Sequence, residues 1–264
     1  MGVNVINSAL FKYYDKYRTL YHSSSQLIRL ITEKWFEDNM YYPFCHENHL
    51  KNYQNNFPVA DFYCHSCGEN FQLKSKKKSL GRSIVDGEYN KMIEAVMTRN
   101  VPNFLFLNYT VNIENIVNLV IVPKEFILPI TIHKRKPLSS DAKRAGWVGC
   151  NILLDKIPDY GKIYAIKDNM PIAKSEVRKN VRKVNFFRKE KDLTSRGWLN
   201  DILLVISKIK TDVFNLNDIY KHVDTLKEIH PYNNNIQAKI RQQLQILRDH
   251  GIIEFIGRGV YKKL

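Results

Sequence analysis

Asp61, Gln72 and Lys74 are the residues of this 264-residue chain whose types and spacing best suit chemistry. They lie in the runs Val59-Ala60-Asp61-Phe62-Tyr63-Cys64-His65-Ser66-Cys67 and Phe71-Gln72-Leu73-Lys74-Ser75-Lys76-Lys77-Lys78. Side chains alternate faces along a strand, so Gln72 and Lys74 project together while Leu73 turns into the core. A hairpin then brings Asp61 beside them. The Asp61 carboxylate, the Gln72 amide oxygen and the Leu73 carbonyl are oxygen donors of the kind Mg²⁺ takes. Lys74 is suited to hold or deprotonate a water and to offset negative charge building on a phosphate. Together they are the parts of metal-assisted phosphodiester hydrolysis.

A second constellation lies inside the same hairpin. Cys64-x-x-Cys67 with Cys45 supplies three thiolates, and a closed structural Zn²⁺ site takes four ligands. His46 or His49 is the expected fourth, because His65 sits within the knuckle and folds back less readily. A zinc there would hold the register of the hairpin that presents Asp61, Gln72 and Lys74.

The elements that must position these groups follow from periodicity. Ser23-Ser24-Ser25 opens a helix in which Leu27, Ile28, Ile31, Trp35 and Phe36 fall at helical spacing to about Asn39. An irregular Asn-rich stretch follows, then strands near 58–63 and 70–75. Asp86-Gly87 precedes an amphipathic helix carrying Met92, Ile93, Val96 and Met97. The apolar runs 103–107 and 117–122 suit strands buried on both faces. An acid, then an amide-x-lysine on the next strand, within the order helix, hairpin, helix, strand, resembles the α/β core of PD-(D/E)XK nucleases.

Beyond Lys183 the texture changes. Helical patterns at 197–208, 215–228 and 234–249 lead to a hairpin of Ile252–Ile256 and Val260–Lys262, which is the layout of a winged helix. The expected division is 1–182 for the nuclease domain and 183–264 for the winged helix, with a charged linker near 180–192.

Composition agrees with a polyanionic partner. Forty-one Lys and Arg against 26 Asp and Glu leave +15, with a pI near 9.5, and neutralising phosphates releases counterions. Four cysteines, three of them clustered, argue for a reduced compartment over a disulfide framework. The start of the chain lacks the pattern of a signal peptide and no stretch is long and apolar enough to span a membrane, so a cytoplasmic protein is expected. Lys76 and Lys77, with Lys78 and Arg82, are candidates for backbone phosphates. Trp147 beside Arg144 is a candidate to stack on bases. Asn234, Asn235, Gln237 and Lys239, at the start of the last helix, are placed for the major groove, where amides read adenine. Gln242, Gln243 and Arg248 are expected to face solvent or phosphate, and Arg258 to reach DNA from the wing tip.

At Pro58–Cys64, Leu73–Lys77, Arg135–Leu138, Arg144–Asn151, Ser195–Trp198, Ile240–Asp249 and Ile252–Phe255 the chain resembles the DpnI-type restriction endonucleases. Those enzymes cut DNA only where the adenine of GATC is methylated. The resemblance implies a monomer with a zinc-bearing nuclease domain and a winged helix that reads the same methylated double-stranded site. It also implies that Trp147 contacts DNA. Two residues depart from the family pattern: Gln72 stands where Glu is usual, and Tyr42-Pro43-Phe44-Cys45 lacks the leading cysteine of the first zinc pair. Gln72 keeps an oxygen ligand without its charge, so a higher Mg²⁺ requirement is expected. A methylated-DNA-binding protein with weakened or absent cleavage, and a repair nuclease, are the alternatives.

Overall fold

The computed structural model describes residues 7–20, 23–47, 51–53, 60–190 and 192–264. Two compact units divide the chain: Met1–Asp155 with Gly161–Arg182, and Lys156–Tyr160 with Lys183–Leu264.

The first unit runs α1 (Phe11–Tyr17), α2 (Ser24–Asn39), β1 (Lys51–Asn52), β2 (Phe62–Tyr63), β3 (Asn70–Lys77), β4 (Ser83–Glu88), α3 (Tyr89–Met97), β5 (Asn103–Tyr109), β6 (Ile116–Val122), β7 (Ile132–Lys134), β8 (Gly149–Leu153), β9 (Ile163–Lys167), β10 (Met170–Pro171) and α4 (Lys174–Val184). Its main sheet has the order β1-β2-β3-β5-β6-β9-β10. Among the described strands only β3 and β5 pair in parallel, with Gln72 opposite Phe104 and Lys74 opposite Phe106. A parallel pair needs a crossover between its strands, and β4 with α3 supplies it. Every residue of β5 is buried, as its uninterrupted apolar run predicts.

Helix α2 buries Leu27, Ile31 and Trp35, spaced four apart on one face. Phe36 packs on Phe62 of β2 with ring centroids 4.7 Å apart, and the Trp35 indole donates to the Asn7 carbonyl at 2.9 Å. Full burial of each such ring is worth roughly 2–3 kcal/mol, which fastens α2 beside the strands that carry Asp61 and Gln72. Helix α3 buries Met92, Ala95 and Val96 but leaves Met97 exposed, against the expected stripe.

A second sheet, β4-β8-β7, lay outside the sequence expectations. Its strands are short and half-polar, with His133, Lys134, Asp86 and Asn151 among them, so alternation does not announce them. The ladder between β4 and β8 slips between Asp86 and Glu88.

The second unit contains α5 (Leu193–Lys208), β11 (Val213–Asn215), α6 (Leu216–Tyr220), α7 (Val223–Ile229), α8 (Ile236–Asp249), β12 (Ile253–Gly257) and β13 (Val260–Lys263). The expected helix at 215–228 is two helices that break at Lys221 and His222, so that both Ile219 and Leu226 are buried. The hairpin β12-β13 gains a third strand, β11, three residues long and too short to show a period of two. Lys156–Tyr160 joins this unit: Asn200 donates to the Lys156 carbonyl at 3.3 Å, Ile157 is buried, and the Tyr160 hydroxyl donates to the Ile252 carbonyl at 3.3 Å. The stretch expected as a linker is largely structured, since α4 runs to Val184 and Phe186 and Phe187 are buried.

Candidate active site

Asp61 stands just before β2, held at both ends of its peptide: its N–H donates to the Phe71 carbonyl and its carbonyl accepts from Tyr53, each at 2.9 Å. Phe62 then pairs with Phe71 across the antiparallel β2–β3 ladder. Among the described residues no strand pairs with β3 on that side beyond this point. The Leu73 amide turns to that edge and donates to Asp61 Oδ2 at 2.8 Å. An extended residue directs its N–H and C=O to the same edge, so the Leu73 carbonyl lies on the Asp61 side of β3.

Burial along β3 alternates, with Phe71 and Leu73 buried and Gln72 and Lys74 half-buried on the opposite face. The structure thus brings Asp61, Gln72, Leu73 and Lys74 together on one cavity of ≈ 520 Å³, which Arg29, Glu33, Lys76 and Ser83 also line. Arg29 reaches Asp61 Oδ1 at 3.8 Å and Glu33 at 2.6 Å. Burial pushes the Asp61 carboxyl above the usual carboxylate range. The Leu73 amide, Lys74 and Arg29 oppose that shift, and the nearby charge of Asp86 reinforces it. Burial raises Glu33 in the same direction.

Among the described residues Gln72 Oε1 is buried without a hydrogen-bond partner. A buried acceptor left unpaired costs roughly 1–3 kcal/mol. An oxygen-seeking cation held by Asp61, Gln72 and the Leu73 carbonyl would satisfy it, so the donor set fits Mg²⁺.

One charged residue at this centre had no motif to mark it. Lys74 Nζ is ion-paired with Asp86 Oδ1, and the Asp86 side chain is only 2% exposed. Asp86 precedes Gly87 in a dipeptide that reads as a helix start or turn, and only the fold reveals its partner.

The three thiols Cys45, Cys64 and Cys67 converge, their sulfurs all within 4.8 Å of one another. Cys45 and Cys64 are 3.6 Å apart, close to the ~3.8 Å separating two sulfurs on one tetrahedral Zn²⁺. The Cys67 N–H points at the Cys64 sulfur at 3.4 Å, and Gly68 takes a φ of 70°, the left-handed turn that closes the knuckle. Burial first, and then the Cys64 and Cys45 sulfurs, push the Cys67 thiol up to about 12; burial and the Cys64 sulfur raise Cys45, against the Glu47 amide and Cys67. A divalent cation reverses that preference by binding the thiolates, so the cluster fits zinc. His46 is exposed and outside the cluster, and His49 lies outside the described residues.

The nucleic-acid candidates fare unevenly. Lys76 spends its ammonium on the carbonyls of Leu80 and Ser83, at 2.9 and 3.2 Å, while Lys77 is exposed. Arg82 is paired with Asp155 at 2.7 Å. Trp147 is half-buried, with the exposed Arg144 guanidinium 4.6 Å from its ring. Its indole lies so close over Gly149 that a Cβ there would sit 2.8 Å from the ring. In the second unit Asn234, Asn235 and Gln237 are exposed at the start of α8, and Lys239 is half-buried. A cavity of ≈ 430 Å³ there is lined by amides together with apolar Val223, Ile236 and Ala238, and by Lys227 and Arg241. Arg258 is exposed in the turn between β12 and β13. Gln243 is buried in α8 beside Ile240 and Leu244, not turned to solvent or phosphate.

An α/β unit bearing a cysteine cluster, followed by a helical unit of helix-turn-helix type, is the architecture these observations define. Residues 11–190 match the DpnI, Dam-replacing family, and residues 194–263 match its Dam-replacing helix-turn-helix domain. The chain belongs to this family of DpnI-type methyl-directed endonucleases with a winged-helix C-terminus. No helix among the described residues is long and apolar enough to cross a membrane.

Proposed function

We propose that this chain is a type II restriction endonuclease that hydrolyses double-stranded DNA at adenine-methylated GATC. In this reading the first unit is a PD-(D/E)XK nuclease with a catalytic Mg²⁺ and a structural Zn²⁺, and the winged helix reads the methylated site. The enzyme acts as a cytoplasmic monomer, for which its four free cysteines and the family resemblance are the support. The resemblance supplies GATC. One observation carries the chemistry: Asp61, Lys74 and Gln72, whose Oε1 has no partner among the described residues, line one cavity beside β3.

Asp61 and Gln72 would hold Mg²⁺ in that cavity, with the Leu73 carbonyl as a neutral oxygen. When bound there, the ion would supply Lewis-acid polarisation of the scissile phosphate and a more acidic water. Lys74, on the same face of β3 as Gln72 and ion-paired with Asp86, would orient the attacking water and offset the charge building on the phosphate, while the water's proton leaves to solvent. Lys77, Arg144 and Trp147 position the duplex on this unit. Asn234, Asn235 and Gln237 meet adenine edges in the major groove, and the apolar floor of Val223, Ile236 and Ala238 accommodates the methyl group. Lys239 and Arg258 pair with phosphates.

The neutral amide at Gln72 favours one second reading, a methylated-DNA-binding protein that cuts weakly or not at all. Matched methylated and unmethylated plasmids, incubated across a Mg²⁺ series beside Lys74→Ala, decide between them. Cutting of methylated DNA alone, lost in Lys74→Ala, is the expected result. Binding to methylated DNA with no cutting in Mg²⁺ or Mn²⁺ selects the second reading, and equal cutting of both plasmids points to a repair nuclease.

A further inference from the structure

Strand β4 puts Ile84 and Asp86 on its buried face, with Val85 turned outward. Alternation asks for a hydrophobe at position 86, and the chain places a carboxylate there. Its side chain is 2% exposed, and only one of its oxygens is engaged, Oδ1 on Lys74. Oδ2 is buried and has no hydrogen-bond partner among the described residues. A half-satisfied buried carboxylate is costly, and such groups persist where they hold a cation or a reacting group. Immediately after Asp86 the β4–β8 ladder slips at Gly87, an irregularity that re-aims side chains beside functional sites.

Another buried oxygen without a partner among the described residues is Gln72 Oε1, two positions before Lys74, and both of these residues line the cavity that Asp61 lines. Lys74 therefore stands between a neutral amide that offers oxygen without charge and a carboxylate that offers charge and a spare oxygen. Lys74 lines the cavity with Asp61 and is ion-paired with Asp86, so two carboxylates lie about one ammonium. A divalent cation beside Lys74 would supply the positive charge that this arrangement leaves short.

Resting on the nuclease reading above, we infer that Asp86 is the second carboxylate of the cation site: Oδ1 fixes Lys74, Oδ2 faces the divalent ion or its water, and the charge missing at Gln72 is carried here. Asp86 thus joins β4 to the chemistry of β3.

The test is Mn²⁺ binding to the full-length protein, followed by the electron paramagnetic resonance of free Mn²⁺, with no DNA present. The variants are Asp61→Asn, Asp86→Asn, Gln72→Glu and the Gln72→Glu/Asp86→Asn pair. The Asp61-dependent affinity is expected to fall roughly tenfold or more in Asp86→Asn, the scale seen when a metal site loses a supporting carboxylate. Gln72→Glu should restore most of it in the double variant. If Asp61→Asn weakens Mn²⁺ binding and Asp86→Asn does not, this inference falls while the nuclease reading stands. If Asp61→Asn changes nothing, both fall. Weakening in Asp86→Asn that Gln72→Glu does not repair means that Asp86 acts on Lys74 alone, and overturns the charge assignment. Should the buried lysine left by Asp86→Asn unfold the chain, Lys74→Met compared with Lys74→Met/Asp86→Asn carries the same measurement. Weaker Mn²⁺ binding in the double variant supports the inference, and equal binding overturns it.

Discussion

Asn103, the first residue of β5, donates through Nδ2 to Glu69 Oε2 at 2.7 Å and to the Asn70 carbonyl at 3.0 Å. Lys124 closes this buried group, its amide on Asn103 Oδ1 at 3.0 Å and its ammonium 3.1 Å from Glu69 Oε2. The clamp ties the exit of the cysteine knuckle to the start of the parallel β3–β5 pair, and so sets where Gln72 and Lys74 fall. Asn103→Ala leaves Glu69 short of a donor in a dry place. It is expected to destabilise the protein by roughly 1–3 kcal/mol in urea unfolding. A change below about 0.5 kcal/mol, the range of ordinary surface substitutions, would show that the clamp carries no such load.

Gln72→Glu tests the amide directly. Added charge beside Asp61 should lower the Mg²⁺ concentration that half-saturates cleavage several-fold, since carboxylates are the stronger ligands for hard cations. A titration of rate against Mg²⁺ reads it, and an unchanged midpoint contradicts the account of Gln72 as a weakened ligand.

The thiol cluster should hold about one zinc per chain, given its tetrahedral spacing. Metal analysis of protein purified without chelators measures this, and finding no zinc removes the proposal. Strong chelation, or Cys64→Ser, is expected to speed hydrogen exchange at Asp61 and Leu73, whose amides depend on the hairpin register.

In the winged helix, Lys239→Ala should weaken binding to methylated and unmethylated duplexes alike and reduce the salt slope of log K by roughly 0.9, one phosphate contact. Asn235→Ala should instead narrow the gap between the two duplexes. Identical behaviour of the two variants in a salt-series binding assay would erase the distinction between phosphate and base contacts drawn here.

Asp192 caps α5 by accepting from the Ser195 amide at 2.7 Å, and that bond holds its carboxyl below the usual range. A carboxyl depressed on folding stabilises the protein above its unfolded value and ceases to do so as pH falls through the folded one. Asp192→Ala should therefore lower the melting temperature at pH 7, and the difference should close once pH drops below the ordinary carboxylate range. A difference that persisted in strong acid would assign the effect to something other than the charged cap.

Much of this was legible in the residues. Period-two alternation placed Gln72 and Lys74 on one face, and apolar runs announced β5 and β6. The 3.6-residue stripe of Leu27, Ile31 and Trp35 marked α2, and the knuckle spacing predicted the thiol cluster. What escaped depends on contacts between segments distant in sequence. Asp86 meets Lys74 only because the crossover returns β4 past β3, and its neighbours Val85 and Gly87 carry no motif. The Glu69–Asn103–Lys124 clamp draws on three separate elements, each polar residue unremarkable alone. Lys76 and Gln243 show the converse: composition suggested a phosphate contact and a solvent-facing amide, and local packing claimed both.

The passage of the chain out to Lys156–Tyr160, back through Gly161–Arg182 and out again makes the two units interlaced in connectivity. No single scission of the backbone separates the two units with both complete. A protease nick after Arg182 would leave the winged module missing the segment that carries Ile157 and Tyr160, so gene fragments split at that point should give a C-terminal product that is less stable than the module within the whole chain.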